Sequence, residues 1–277
     1  DKLFIPASLS KIFTGVTALA KLPAGHHFYT QLLATDKVEK GVLKGPLYLK
    51  GGGDPSFISE SMWFLVNEFL REGITKIEGP IVVDDTVFDN IRFDETRENH
   101  RVDRAYDAPV GAMSFNWNSV NVFIRPGAKK GDPVQVFADP FSSYIKIVNR
   151  ASTVSGRAQS IRVSRVEDTS HIGDTIVVTG KLGLERDEVV KYKSITKPDY
   201  WSGFHLAEFL KQRGIEINGN VIIGKAPSRA RELAEVKSSP LSHIVSDMMK
   251  FSNNYIAEML TKNIVVHHRN IQGNMVD

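Results

Sequence analysis

Apolar residues recur at helical spacing over residues 8–21, where Leu9, Ile12, Phe13, Val16, Leu19 and Ala20 share one face. Pro6 suits the start of this helix, and Lys21-Leu22-Pro23-Ala24-Gly25 ends it. The stretches HFYTQLLAT (27–35) and VLKGPLYLK (42–50) predict strands joined by a polar turn, and Gly51-Gly52-Gly53-Asp54-Pro55 then breaks the chain. Met62, Leu65, Val66, Phe69 and Leu70 form the apolar face of a helix over about 59–72, stopped by Gly73. A strand at 80–84 follows, and 86–110 is polar and irregular. From 119 to about 190 the pattern is mostly short strands: VQVFAD, YIKIVN, IRVSRV and TIVVTG. A helix over 200–213 closed by Gly214 and a strand GNVIIG come next. Two further helices follow, one starting at Ser239-Pro240 with Leu241, Ile244, Val245, Met248 and Met249 on its apolar side. The other starts after Ser252, with Ile256, Met259, Leu260 and Ile264 facing inward. Helical ends therefore flank a β-rich middle, the signature of one domain interrupted by an insertion.

Composition narrows the function classes. The 277 residues are 42% hydrophobic and 24% charged, which fits a globular protein with a core, and the length allows two or three domains. A net charge of +3 is too small for a nucleic-acid stripe, and at most supports weak attraction to an anionic membrane surface. The absence of cysteine excludes disulfides, thiolate metal sites and cysteine nucleophiles. No apolar run reaches the roughly 18 residues of a membrane span. No secretion signal is visible, and the chain starts seven residues before Ser8, so it reads as a mature or trimmed form.

The candidate chemistry centres on Ser8 and Lys11. A serine three residues before a lysine lies on the same side of a helix, and a partly buried amine gives up its proton more readily. The pair can then act as nucleophile and base, with helix-start N–H groups near a developing oxyanion. Ser143/Lys146 and Ser194/Lys197 repeat the spacing, one in an expected strand and the other before Pro198, so neither has the helical context. The bland alternative makes Ser8 a helix cap and Lys11 a solvated residue. A second candidate is Ser252-Asn253-Asn254, where Ser252 relays a proton and Asn254 holds a substrate amide; its alternative is a serine capping the last helix. No HExxH motif exists, adjacent histidines at 26–27 and 267–268 do not converge as metal ligands, and no cofactor is implied. The glycines at 51–53 lack phosphate-loop spacing and read as a tight turn. Asp84, Asp85, Asp89 and Asp94 read as a solvated loop, and Trp63, Trp117 and Trp201 as core or subsite aromatics.

PASLSK, YLKGGGDPSF, YDAPVGAMSFN with FIRPG, and MMKFSNNYIAEML, taken in order, resemble the class C low-molecular-mass penicillin-binding proteins of the penicillin-binding protein 4 type. The resemblance runs from Pro6 to about Leu260. It implies an α/β fold: a transpeptidase-like domain from both chain ends (1–28 and 231–277), an inserted β-rich domain (29–54 and 126–230), and a smaller α/β domain within it (55–125). It also implies a serine D-alanyl-D-alanine carboxypeptidase or endopeptidase of the bacterial envelope, acting on peptidoglycan stem peptides and acylated by β-lactams. Ser8 would be the nucleophile, Lys11 its base, Ser252 the proton shuttle and Asn254 the substrate binder. The alternatives are an inert wall-binding scaffold and a β-lactamase. The family's third motif, Lys-Thr-Gly, does not follow Ser252, and Lys181-Leu182-Gly183 is a decoy. The expectation is that the remaining strands were trimmed or travel as a separate C-terminal fragment, leaving apolar helix faces bare.

Overall fold

The computed structural model describes residues 5–93, 103–167 and 172–269. A 3-10 turn, Ala7–Leu9, runs into α1 (Ser10–Lys21). The chain then forms β1 (Tyr29–Ala34), the two-residue strands β2 (Val38–Glu39) and β3 (Val42–Leu43), and β4 (Leu47–Gly51). After α2 (Ser59–Leu70) come β5 (Lys76–Ile77) and β6 (Ile81–Asp84). The middle holds β7 (Ser119–Arg125), β8 (Gln135–Asp139), β9 (Ile145–Val154), β10 (Arg162–Glu167), β11 (Asp174–Gly183) and β12 (Val189–Ser194). The last third holds α3 (Pro198–Gln212), β13 (Glu216–Ile217), β14 (Val221–Ile223), β15 (Arg231–Lys237), α4 (Leu241–Phe251) and α5 (Asn254–Arg269).

A five-stranded sheet, order β14-β6-β4-β1-β15, is parallel through its first three strands and antiparallel through its last three. β6 is buried along its whole length, as a central parallel strand must be, and its Ile-Val-Val run supplies the apolar faces. α2 and α3 cover this sheet, and α3 sits so close that a Cβ at Gly203 would lie 2.5 Å from Val221 Cγ1 and 2.6 Å from Val83 Cγ2. The sheet takes strands from both sides of position 55: β4 and β6 pair directly, Leu47 opposite Ile81 through Lys50 opposite Asp84. Three smaller sheets, β10-β11-β9, β12-β7-β8 and β13-β5-β3-β2, complete the β-rich middle.

The three glycines at 51–53 serve a backbone crossing rather than a simple turn. A Cβ at Gly51 would strike the Ala112–Met113 backbone at 2.3–2.5 Å, and one at Gly52 would meet Tyr29 O at 2.3 Å. Gly53 has φ +80° and donates its N–H to Ala112 O at 2.9 Å.

A second apolar cluster joins the two chain ends. Ala18 and Leu22 of the first end pack with Leu241, Ile244, Val245 and Met248 of α4 and with Tyr255, Ile256, Met259 and Leu260 of α5. Phe28, Phe88 and Ala108, Val110 and Ala112 close it from the insertion side. Each fully buried side chain of this kind contributes about 1.5–3 kcal/mol. α1 differs from the pattern expected of it. Its buried stripe is Lys11, Gly15 and Ala18, whereas Leu9, Ile12, Phe13, Val16 and Leu19 point outward. The small residues are what allow contact with α4: Gly15 faces Val245 and Met248 at 3.2–3.3 Å from an ideal Cβ.

Candidate active site

Ser8 sits in the 3-10 turn just before α1, after Ala7, whose φ of 46° is in the left-handed region. Its side chain caps nothing: Ser10, not Ser8, bonds back along the chain, its Oγ donating to Ala7 O at 2.8 Å. The Ser8 hydroxyl instead meets two other groups. Lys11 Nζ donates to Ser8 Oγ at 3.3 Å, from a lysine only 7% exposed. Ser252 Oγ donates to Ser8 Oγ at 2.8 Å, across 244 residues of sequence.

The Ser252 loop is built for this approach. α4 ends at Phe251, and Ser252 takes a left-handed conformation (φ 51°, ψ 40°) that turns the chain into α5. Asn253 N–H bonds to Met248 O at 3.1 Å, and Asn253 Oδ1 accepts the Ile256 N–H at 3.1 Å. Asn253 therefore caps α5, which leaves the Ser252 hydroxyl for Ser8. Neither serine hydroxyl makes a helix-capping bond; the two bond each other instead. Asn254, the first residue of α5, is half-buried and its side chain makes no hydrogen bond among the described residues. Three of the four candidate residues converge, and the fourth stands two positions beyond Ser252.

Buried groups stand behind this loop. Tyr255, next to Asn254, is fully enclosed, and burial pushes its phenol well up. Asp54 is also enclosed; burial pushes its carboxyl up to about 6, partly offset by bonds from Ser56 N–H and Ser56 Oγ, both 2.7 Å. The acidic stretch is structural, not a solvated loop. Asp84 accepts from Thr86 and Ala226, Asp85 pairs with Arg92, which also reaches Asp199 at 3.0 Å, and Asp89 pairs with Lys262. Asp94 lies outside the described residues. Sequence spacing gave no signal for these pairings, because their partners lie up to 173 positions away. His26 and His267 from opposite ends stack edge-on at 5.5 Å, and no cluster of metal-ligating residues occurs among the described residues.

A serine one turn ahead of a buried lysine, met by a second serine from the far end of the chain, is the geometry that a serine nucleophile with a lysine base requires. Known proteins share this fold. Penicillin-binding protein 4 (DacB) of Haemophilus influenzae superposes with a TM-score of 0.82 at 23% identity, over 98% of this chain and 59% of that one. The same protein in complex with a β-lactam gives 0.74 at 24% identity, covering 96% and 57%. The D-alanyl-D-alanine carboxypeptidase of Actinomadura sp. (strain R39) is 32% identical over 270 residues, 94% of this chain and 49% of that protein. The carboxypeptidase DacB of H. influenzae is 25% identical over 264 residues, 95% and 54% respectively. Residues 1–274 match the D-Ala-D-Ala carboxypeptidase 3 (S13) family, and the chain belongs to that family. It spans about half the length of the curated relatives it matches.

Proposed function

We propose that this chain carries the acylation centre of a serine D-alanyl-D-alanine carboxypeptidase acting on peptidoglycan peptides outside the cytoplasm. Ser8 attacks the carbonyl of the penultimate D-alanine, and Lys11, as base, accepts the Ser8 proton. Ser252 passes a proton to the departing amine, and Asn254 holds the substrate amide with its side-chain amide. Terminal D-alanine leaves, and water then releases the acyl-enzyme. A β-lactam acylates the same serine. The observation that carries this reading is the meeting of Lys11 Nζ and Ser252 Oγ on one oxygen, Ser8 Oγ. No other Ser-x-x-Lys stretch shares it: Ser143 lies in a turn before β9, and Lys197 is extended (φ −122°, ψ 90°) ahead of α3.

The division into domains belongs to the same reading, with 1–28 and 231–277 forming the catalytic body, although its first strand, β15, pairs with β1 in the insertion's five-stranded sheet. So does a Lys-Thr-Gly strand on a further segment. The outward face of α1, Leu9, Ile12, Phe13, Val16 and Leu19, is the surface on which it would pack, since so much contiguous apolar area is rarely left in water. No described helix is long and apolar enough to cross a membrane.

The test is fluorescent penicillin with the complete protein. A stable adduct mapped to Ser8 by peptide mass, absent in Ser8→Ala, is the expected result, with release of D-alanine from a D-Ala-D-Ala peptide. No adduct supports an inert wall-binding scaffold, and an adduct shed within seconds supports a β-lactamase.

A further inference from the structure

Trp117 takes a conformation that its own side chain disfavours, between two asparagines that tolerate it. Asn116, Trp117 and Asn118 have φ of 47°, 51° and 51°, three successive non-glycine residues in the left-handed region. Side-chain amides hold them there. Asn116 Oδ1 accepts the Ser59 N–H and its Nδ2 donates to Ser59 Oγ, both at 2.9 Å. Asn118, fully buried, donates to Pro109 O and Ser114 Oγ at 2.8 Å and accepts the Phe115 N–H at 3.2 Å. The result is an indole held out at the surface: Trp117 is 44% exposed, whereas Trp201, 84 positions on, is fully buried with its N–H bonded to Phe115 O.

Two cavities meet at Ile58 and Trp117. The larger, about 430 Å³, passes Pro55, Ile244 and Phe251 to reach Asn253, the neighbour of Ser252. The smaller, about 190 Å³, is lined by Ser59, Glu60, Ser119, Asn121 and Asp139 around the indole. The Glu60 and Asp139 side chains make no ion pair or hydrogen bond among the described residues. A flat apolar ring beside free carboxylates, hydroxyls and an amide matches the two chemistries of a sugar. Its C–H face stacks on an aromatic surface, and its hydroxyls donate to acids and exchange bonds with amides. An ammonium ligand would use the carboxylates but, being a donor only, would leave the Asn121 amide N–H groups unmatched.

We propose that Trp117 and the smaller cavity form a saccharide subsite. It holds an amino-sugar ring of the glycan, while the attached peptide runs through the larger cavity to the Ser252 loop. This deepens the peptidase reading and rests on it for the identity of the attached peptide. The test titrates the full chain with the peptide-free trisaccharide of N-acetylglucosamine by calorimetry, beside fluorescent-penicillin labelling of the wild type. Saccharide binding should weaken at least tenfold in Trp117→Ala and measurably in Glu60→Gln/Asp139→Asn, whose surface changes keep the turn intact, with thermal midpoints checking the fold. No binding by the wild type, equal binding by the folded variants, or binding of a simple diamine in place of the saccharide would overturn the subsite. Labelling without saccharide binding removes the subsite and keeps the peptidase; saccharide binding without labelling removes the peptidase and keeps the subsite.

Discussion

At the scale of the residue, the centre turns on how little separates a cap from a nucleophile. Ser8 and Ser252 both stand where serines commonly cap helices, yet Ser10 and Asn253 make the local bonds and free them. That freedom was legible only in part. The spacing of Ser8 and Lys11 predicts their contact, because one helical turn brings them together. The contact with Ser252 crosses 244 residues and no local pattern encodes it; there the family resemblance supplied the pairing. Replacing Lys11 by Met should keep the fold, since the stem lies buried, and slow penicillin acylation by roughly 10²–10⁴, the usual worth of a positioned base. Stopped-flow labelling measures it, and an unchanged rate would remove Lys11 from the chemistry. Asp54 makes a separate prediction about pH. Its carboxyl is raised from the usual 3.8 to about 6, chiefly by burial. The folded state then holds a proton that the unfolded chain has lost, so stability from this group is present below about pH 4 and is lost as pH rises to 6. His205, enclosed against Trp201 and Phe115, works the other way: burial lowers it to about 4, and its contribution is lost as pH falls from 6.5. Asp54→Asn removes only the first effect. Relative to wild type, it should gain up to about 3 kcal/mol between pH 4 and 7, read from urea midpoints at each pH.

At the scale of the element, long periodic segments were readable and weakly patterned ones were not. α2, α3, α4 and the strands β8 to β11 fall close to the stretches their periodicity marks. β15 shows no clean alternation because Leu233 and Ala234 are both buried, at the bulge that shifts its register against β1, while Arg231, Glu232, Glu235 and Lys237 around them are exposed. β2, β5 and β13 are two residues each, shorter than any pattern can show, and the stretch expected as one strand over 42–50 is split at Lys44-Gly45-Pro46 into β3 and β4. α1 teaches a different lesson: amphipathicity locates a helix but does not say which side meets this chain's own core. Its small residues meet α4, and its large ones point away. Glycine carries a similar signal in α3. Replacing Gly203 by Ala gains up to about 1 kcal/mol in helix propensity. It also drives a methyl into Val83 and Val221, two β-branched side chains with little freedom to turn away. Overpacking of this kind costs about 1–3 kcal/mol, so a net loss is expected in the denaturation midpoint. A gain would mean that the helix lifts off the sheet without penalty.

At the scale of the whole molecule, the question is what holds the far end of the chain in register with Ser8. α5 starts beside Ser252 and runs on to Lys262, eight residues and about 12 Å further along the helix. There the Lys262 side chain, wholly enclosed, pairs with Asp89 from the segment after β6 and lies 5.7 Å from the centre of the Phe88 ring. The next residue, Asn263, donates to Gly53 O at 2.8 Å, at the glycine crossing. One turn of α5 is thereby tied to two separate parts of the insertion. The two members of the ion pair are not equivalent: Lys262 is fully enclosed, whereas the Asp89 side chain keeps 19% exposure. Removing one partner of a buried pair costs about 3–5 kcal/mol, because the other charge is stranded. Lys262→Met leaves a carboxylate that is partly wetted and keeps its bond from the Ile91 N–H, and should fall at the lower end. Asp89→Asn strands an ammonium with no route to water and should fall at the upper end. The double variant should lose less than the sum of the two, since neither charge is then left alone. Urea denaturation of the four proteins completes the cycle. If the two single changes add, or if Asp89→Asn is the milder, the pair does not tie α5 to the insertion, and the packing of Tyr255, Ile256, Met259 and Leu260 must hold the Ser252 loop against Ser8 without it.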